Sequence, residues 1–512
     1  MIFLILISIL IGLLSYFYYV AEKRRNYWKD RNIPHIESPL WGHFFATTFL
    51  QEHVTTTLTK LYNHERAKNQ KFVGINIFHK PAILVRDPEL VKRILVKDFN
   101  YFTNRHTATD LRSDPLAGNN LFLSNNPLWK ILRSKLSPIF TSGKMKQMFY
   151  MVDKIGNDLN EVISVRVKNG SSEMPIRVLF QMFTIDAISL VAFATESNCL
   201  KDPANSDFLK NAKMAFAFTF MDKLSGTCCF YLQELMKLPG MHVFNPVFGK
   251  FLSELLYEVT EKRLKDGGIR NDLVDALIKI KSDAVNQNDS VITDELLAAQ
   301  ALLFFFAGFE TSSSTIHLLF YLLAQNPEVQ KKVREEIQQA FEKHGKLTYE
   351  FICNDMPYTT NVIKETLRLY PILPFLDREC VLPNADTKGY SLEPYSSFEI
   401  PPGMPIYIPA HAIQHDPEYF PDPDKFNPDR FDENSSSYNE YSYMPFGLGP
   451  RACIGERFAL LQMRIGIVNV LKSFTVEVTN DTPKNFQFEP TNVLLIPDKE
   501  LILRFVESPL KF

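Results

Sequence analysis

Hydrophobic positions fall along this chain in three rhythms. Residues 1–20 form an apolar run with no Asp, Glu, Lys or Arg, about long enough to cross ~30 Å of hydrocarbon as one helix. Residues 72–86 (FVGINIFHKPAILVR) alternate closely enough to predict a β-hairpin. The stretch from Thr293 to Asn326 is apolar nearly all round. Thr293 is a good N-cap, Asp294 and Glu295 suit the positive end of a helix, and Pro327 limits it. About 33 residues would extend roughly 50 Å, and a helix without a polar face belongs inside a large domain. A second membrane span is the rival reading, but Glu310, Thr311 and three serines in mid-run argue against it. Further helices are expected at 357–370, stopped by Pro371, and at 454–472. Residues 380–410 read as short strands and 411–452 as loops. The predicted class is mainly α with small β-sheets.

Composition narrows this picture. The chain has 512 residues, a length that suggests three or four ordinary domains, yet no Gly/Ser or Pro-rich linker divides it and no internal repeat shows. With 46% hydrophobic residues it is globular, and 56 basic against 58 acidic side chains exclude a nucleic-acid binder by bulk charge. Phe is the outlier, at 42 residues, enough for a large aromatic core. Lys23, Arg24 and Arg25 follow the first apolar run, with Lys29 and Arg31 close behind. A cleaved signal would carry its charge ahead of that run and small residues at the cut. Residues 1–21 are therefore expected to be an uncleaved transmembrane anchor with the remaining chain cytosolic, 22–41 a basic stop and a stiff hinge at Pro34 and Pro39, and 42–512 the globule. In the cytosol the sequons at Asn169, Asn288, Asn434 and Asn480 would stay unmodified. The six cysteines (199, 228, 229, 353, 380, 453) would stay reduced, and none has zinc-finger spacing.

The sharpest chemistry lies in PFGLGPRACIGERFA, residues 445–459. Cys453 precedes a predicted helix, whose free amides and dipole favour a thiolate. Gly449 and Gly455 let backbone approach a flat ligand closely, and Arg451 adds positive charge. A lone cysteine thiolate on iron leaves the opposite axial position open for oxygen. A buried cysteine taken alone is usually a small core residue; the spacing of Phe446, Gly449, Arg451, Cys453 and Gly455 makes the difference.

Here the chain resembles the cytochrome P450 superfamily of haem-thiolate monooxygenases, over essentially its whole length. FxxGxRxCxG at 446–455 maps Cys453 to the proximal iron ligand of haem b. AGFETS, residues 307–312, matches the family's acid-Thr motif, so the resemblance gives Glu310 and Thr311 to proton delivery. Glu365 and Arg368 match ExxR, and PDKFNPDRF, residues 423–431, supplies Arg430; the three are implied as a buried structural group. Trp129 and Arg133 match the WxxxR helix that meets a haem propionate. Arg105 in FTNR, Arg378 in LDREC and Arg451 match further propionate contacts. Together with SPIFTSGKMKQM, residues 137–148, FTNR and FFAGFETSS place the likeness in the microsomal branch of vertebrate drug and steroid oxidisers and insect detoxification enzymes. One departure is visible: the usual Pro-rich segment after the anchor is reduced to Pro34 and Pro39.

The resemblance implies one haem domain with the P450 fold plus one N-terminal transmembrane helix, on the cytosolic face of the endoplasmic reticulum. Motif position puts Phe122, Phe306, Ala307, Ile372, Leu373, Phe375 and Val493 around a lipophilic substrate, with the Phe-rich stretch 208–251 above it near the membrane. Neither a Gly-rich dinucleotide fingerprint nor a fused flavin domain is visible, so electrons are expected from NADPH through a cytochrome P450 reductase, with cytochrome b5 as a further partner. Lys130, Arg133, Lys135, Lys144 and Lys146 form a candidate basic docking face, or an ordinary solvated one. Two other functions stay in view: a haem-thiolate isomerase or dehydratase that needs no reductase, against which the Glu310–Thr311 pair argues, and a single-pass receptor whose globule faces the lumen.

Overall fold

The computed structural model describes residues 2–216, 219–267, 270, 272–384, 386–432 and 438–512. The sequon at Asn434, and residues 217–218 of the Phe-rich stretch, lie outside the described residues. The chain begins as helix α1, Ile2–Arg25, whose last turn carries Lys23, Arg24 and Arg25. The hairpin β1 (Phe72–Ile77) and β2 (Lys80–Val85) follows, as the alternation predicts, with Phe72 opposite Val85 and Ile77 opposite Lys80. Then come α2 (Leu128–Leu136), α3 (Ser142–Lys168), β3 (Glu173–Pro175), α4 (Ile176–Phe193), α5 (Asp207–Phe216), α6 (Phe220–Tyr231), α7 (Pro246–Asp266) and α8 (Leu273–Asn286). The long central helix α9 spans Asp294–Gln325, and α10 (Pro327–His344) and α11 (Pro357–Leu369) follow it. Short strands β4 (Leu376–Glu379), β5 (Tyr390–Ser391), β6 (Glu399–Ile400) and β7 (Pro405–Ile408) precede α12 (Glu456–Leu471), β8 (Phe474–Val478) and β9 (Ile502–Glu507). The sheets run β1-β2-β7-β4, β3-β9-β8 and β5-β6.

The largest core cluster is built around α9, which packs along α4 and against α11 and α12. Thr293 caps α9 by accepting the Leu296 N–H at 3.2 Å. Both α4 and α9 are long and apolar enough to cross a membrane, but 78% and 61% of their apolar windows are buried inside the protein. A helix covered over most of its length by its own fold is not laid out for lipid, so α9 is an interior helix. Close contact of α4 and α9 is allowed by Gly308, where a Cβ would come within 2.7 Å of Ile188 Cδ1.

The segment expected to be a stiff hinge between anchor and globule is built into the fold. Trp28 is 1% exposed and donates its indole N–H to Ile75 O at 2.9 Å. Gly74 N donates to Pro34 O at 2.8 Å and Ile36 N to Gly74 O at 3.1 Å, so this segment lies along the outer edge of β1. An indole and two isoleucines, Ile33 and Ile36, gain by burial there, and Pro34 needs no N–H to serve as an edge acceptor. The packed domain therefore begins near Trp28, upstream of residue 42.

Candidate active site

Four guanidiniums converge next to the Cys453 loop. Arg105 donates to Asp377 Oδ1 at 3.1 Å and lies over the Phe122 ring at 4.2 Å. Arg451 donates to Thr103 O at 2.6 Å and Ser124 O at 2.9 Å, and stacks over Trp129 at 4.4 Å. Arg378, on β4, donates to Asp377 O at 2.7 Å and is 1% exposed. Arg133, one turn after Trp129 on α2, is half-buried and within electrostatic reach of both Arg451 and Cys453.

Asp377 is the carboxylate that faces this group. Burial alone would raise its carboxyl, but Arg105, the Thr107 amide and hydroxyl, and Arg378 hold it below the ordinary range. One carboxylate cannot balance four cations. Burial pushes Arg378 down to about 9, with Arg105 adding to the shift and Asp377 opposing it. Burial likewise pushes Arg451 down to about 8, aided by Arg105 and Arg378. The Nε atoms of Arg105 and Arg378 are buried without a protein partner. Such a pocket requires anions, and guanidiniums suit carboxylates.

Cys453 stands at the end of this cluster, just ahead of α12. Its N–H donates to Phe446 O at 2.7 Å. Burial raises the thiol above its ordinary range, while the N–H groups of Gly455 and Glu456 and the charge of Arg133 act to lower it. Yet the residue's surface is exposed. Both statements hold if the sulfur looks onto an internal space rather than bulk water. Ala307 repeats the pattern: it is exposed in the middle of α9 while Phe305, Phe309 and Glu310 are buried. Phe140 ties the two regions together, lying against Gly455 and stacking on Phe304 with ring centroids 5.9 Å apart. A thiol at one wall, small residues on the central helix and guanidiniums in excess over carboxylate at the rim fit a flat, dianionic, iron-bearing cofactor such as haem.

The acid and alcohol of α9 part company. Thr311 donates to Ala307 O at 2.7 Å, the bond back to the helix expected of a mid-helix threonine. Glu310 is buried on the side of α9 facing α4, where it accepts from Arg177 at 3.2 Å and Gln181 Nε2 at 3.0 Å. Glu365, Arg368 and Arg430 lie together. Arg368 grips both Glu365 oxygens at 2.7 and 2.9 Å, and Arg430 Nε reaches Glu365 Oε1 at 3.0 Å.

The expected substrate residues are spread more widely. Phe306 meets Phe244 and Phe309. Ile372 is buried, and its carbonyl accepts from Leu495 N at 2.9 Å. Leu373 is half-buried. Phe375 is 1% exposed within an aromatic cluster of Phe230, Tyr231 and Tyr407, against which Val493 packs. Phe122 stands beneath Arg105, with the arginine group. Sequence reasoning missed Asp377, Arg177 and Gln181. Asp377 sits beside Arg378 in LDREC, a visible signal for an ion pair, whereas Arg177 and Gln181 share only i,i+4 spacing.

This geometry suits an enzyme that holds a planar iron cofactor through a thiolate. A family model described as Cytochrome P450 matches residues 34–505. The chain is 37% identical to the probable cytochrome P450 6g2 of Drosophila melanogaster, an alignment covering 100% of this chain and 99% of that protein. It is 36% identical to the probable cytochrome P450 6w1 of the same fly, over 98% and 97%, and 35% identical to cytochrome P450 9e2 of Blattella germanica, over 94% and 92%. The chain belongs to the cytochrome P450 family. It is a P450 monooxygenase with the P450 fold, of a family that carries haem on a cysteine thiolate, and it groups with insect members.

Proposed function

We propose that this protein is a membrane-anchored monooxygenase that inserts one oxygen atom of O2 into lipophilic small molecules, xenobiotics or endogenous hormones and lipids. Electrons come from NADPH through cytochrome P450 reductase, with cytochrome b5 as a second partner. The reading rests above all on the buried excess of guanidinium charge beside Cys453. Arg105, Arg133, Arg378 and Arg451, with the Trp129 indole, would hold the two propionates of haem, and Cys453 would ligate its iron. When bound, that group supplies oxygen activation, which thiolate donation favours.

The chain's own residues supply the setting. The N–H groups of Gly455 and Glu456 point at Cys453 Sγ and moderate its basicity. Ala307 leaves room on α9, and Phe306 with Leu373 and Ile372 offers apolar walls. The Thr311 hydroxyl, now given to Ala307 O, holds a proton that can turn toward that space, with Glu310 as the acid behind it. Ile5, Ile7, Ile9 and Ile11 on α1 are exposed. Such an apolar surface, followed by Lys23, Arg24 and Arg25, supports an anchor in the endoplasmic reticulum with the catalytic domain in the cytosol. For the reductase, α2 and the start of α3 offer Lys130, Lys135 and Lys144, since Arg133 belongs to the arginine group; Lys146 is engaged with Glu350 at 2.8 Å.

The reduced protein with CO should show the red-shifted Soret band of thiolate ligation, and Cys453→Ala should lose it; a variant that keeps the band overturns the ligand assignment. Thr311→Ala should retain haem but divert NADPH into peroxide, by about 10-fold or more against product. Unchanged coupling removes the proton role. Turnover without NADPH would favour the isomerase or dehydratase reading.

A further inference from the structure

A second cavity, of about 750 Å³, opens between α7, α8 and the first turns of α9, and takes in residues 113–116 and 242–246. Its volume is that of a small-molecule site, within the usual range of about 300–1,000 Å³. Leu256, Leu277 and Leu297 are buried at its base, while Phe244, Ile278 and Ala298 are partly buried against the same core. Tyr257 and Leu264 stand at its mouth, each 65% exposed.

The polar groups around this space are engaged with one another. Asp114 accepts the N–H of Ala117 at 3.2 Å and of Val243 at 2.5 Å. Ser113 donates to Met236 O at 2.7 Å, and His242 meets Asp222 at 2.8 Å. Lys281 pairs with Asp294 at 2.5 Å, and Lys250 with Glu254 at 3.7 Å. Both lysines are thus paired and Asp114 is held by amides, while Glu295 stands exposed at the rim, so the base offered to a ligand, Leu256, Leu277 and Leu297, is apolar. One wall also faces the active site: the Phe244 ring meets Phe306 edge-on, with centroids 5.4 Å apart and planes at 72°. Phe306 directly precedes Ala307.

From this we infer that the cavity between α7, α8 and α9 is a binding site for an uncharged lipophile of drug or sterol size, one that fills independently of the Cys453 site. A ligand there rests on Phe244 and so lies one ring away from Phe306. The inference draws on the cavity's own lining and not on the reaction, so it can fail while the monooxygenase reading stands.

The test uses the full-length, haem-loaded protein in lipid nanodiscs. A neutral phenyl-diazirine is photoactivated while a nitrogen-ligating azole saturates the iron, and labelled peptides are mapped by mass spectrometry. Label should fall on peptides from 253–264, 277–282 and 294–298 whether or not the azole is present. Ala298→Trp and Thr260→Trp, which fill the space from α9 and from α7, should each reduce that label by about tenfold, a change worth about 1.4 kcal/mol of binding. The azole-induced Soret shift should be unchanged in both. Label that disappears when the azole binds would mean a single shared site and overturn the inference. Label that survives both substitutions would place the probe on the outer, lipid-facing surface and overturn it equally.

Discussion

At the scale of single residues, Gly449 shows how tightly the Cys453 loop is held. Its φ is +69°, and a Cβ there would lie 1.9 Å from Leu95 O, a backbone atom that cannot swing aside. Gly449→Ala must therefore move the loop that carries Cys453 or the backbone at Leu95. The left-handed conformation alone costs a non-glycine about 1–2 kcal/mol, and the overlap adds to it. The ratio of Soret to protein absorbance after purification should drop to a small fraction of wild type. Gly143→Ala, with nothing within 4 Å of its Cβ, is the control and should load normally. Equal loading in the two variants would refute the packing argument. Glu365 acts at the same scale in another way. It serves Arg368, Arg430 and the Asn427 N–H at once, so Glu365→Gln strands a fully buried guanidinium at a cost of about 3–5 kcal/mol. Thermal unfolding with haem bound should show the loss; a midpoint within a degree or two of wild type would mean the buried triad contributes little.

At the scale of elements, the sequence was most legible where periodicity and caps agree. The central helix starts on the Thr293 cap and stops before Pro327 because local chemistry sets both ends. The hairpin at 72–86 was legible for the same reason. Its outer edge was not, because pairing of residues 34–36 with Gly74 depends on burying Trp28, a tertiary event that no local pattern announces. The rotation of α9 about its axis was equally hidden. Glu310 and Thr311 are neighbours in sequence, but successive residues on a helix diverge by about 100°, so one bonds α4 and the other its own helix. Arg177 and Gln181 thus position Glu310 from α4. Arg177→Met leaves that carboxylate buried without a counter-charge, a loss of about 1–3 kcal/mol. Arg177→Lys should recover much of it. If Glu310 supports proton delivery, the Met variant should also waste more NADPH as peroxide and the Lys variant less; identical coupling in both would leave the α4 contact with a purely structural role.

At the scale of the whole molecule, distant parts of the chain meet at buried histidines. His53 caps a helix at 54–62 near the start of the domain and lies within 3.4 Å of Leu494 O near its end. His411 stacks on His415 with centroids 4.2 Å apart, and its Nδ1 is buried without a partner. Burial pushes His53 and His415 down to about 4 and His411 well below its ordinary value, and Arg368 opposes a proton on both His411 and His415. These histidines are neutral in the fold and titrate near 6.5 when it opens. The unfolded chain therefore binds more protons between those values, and stability rises with pH across that window. Their contribution is fully present above about pH 6.5 and is lost as pH falls toward about 4. Each such proton gives a slope of about 1.4 kcal/mol per pH unit. Carboxylates titrate in the same range, so the difference between proteins carries the test. Denaturant unfolding at a series of pH values should show His53→Gln with a slope shallower than wild type by about one proton, and His411→Gln likewise. Parallel curves for wild type and both variants would mean that the histidines take up protons without unfolding, and that acid sensitivity arises elsewhere in the molecule.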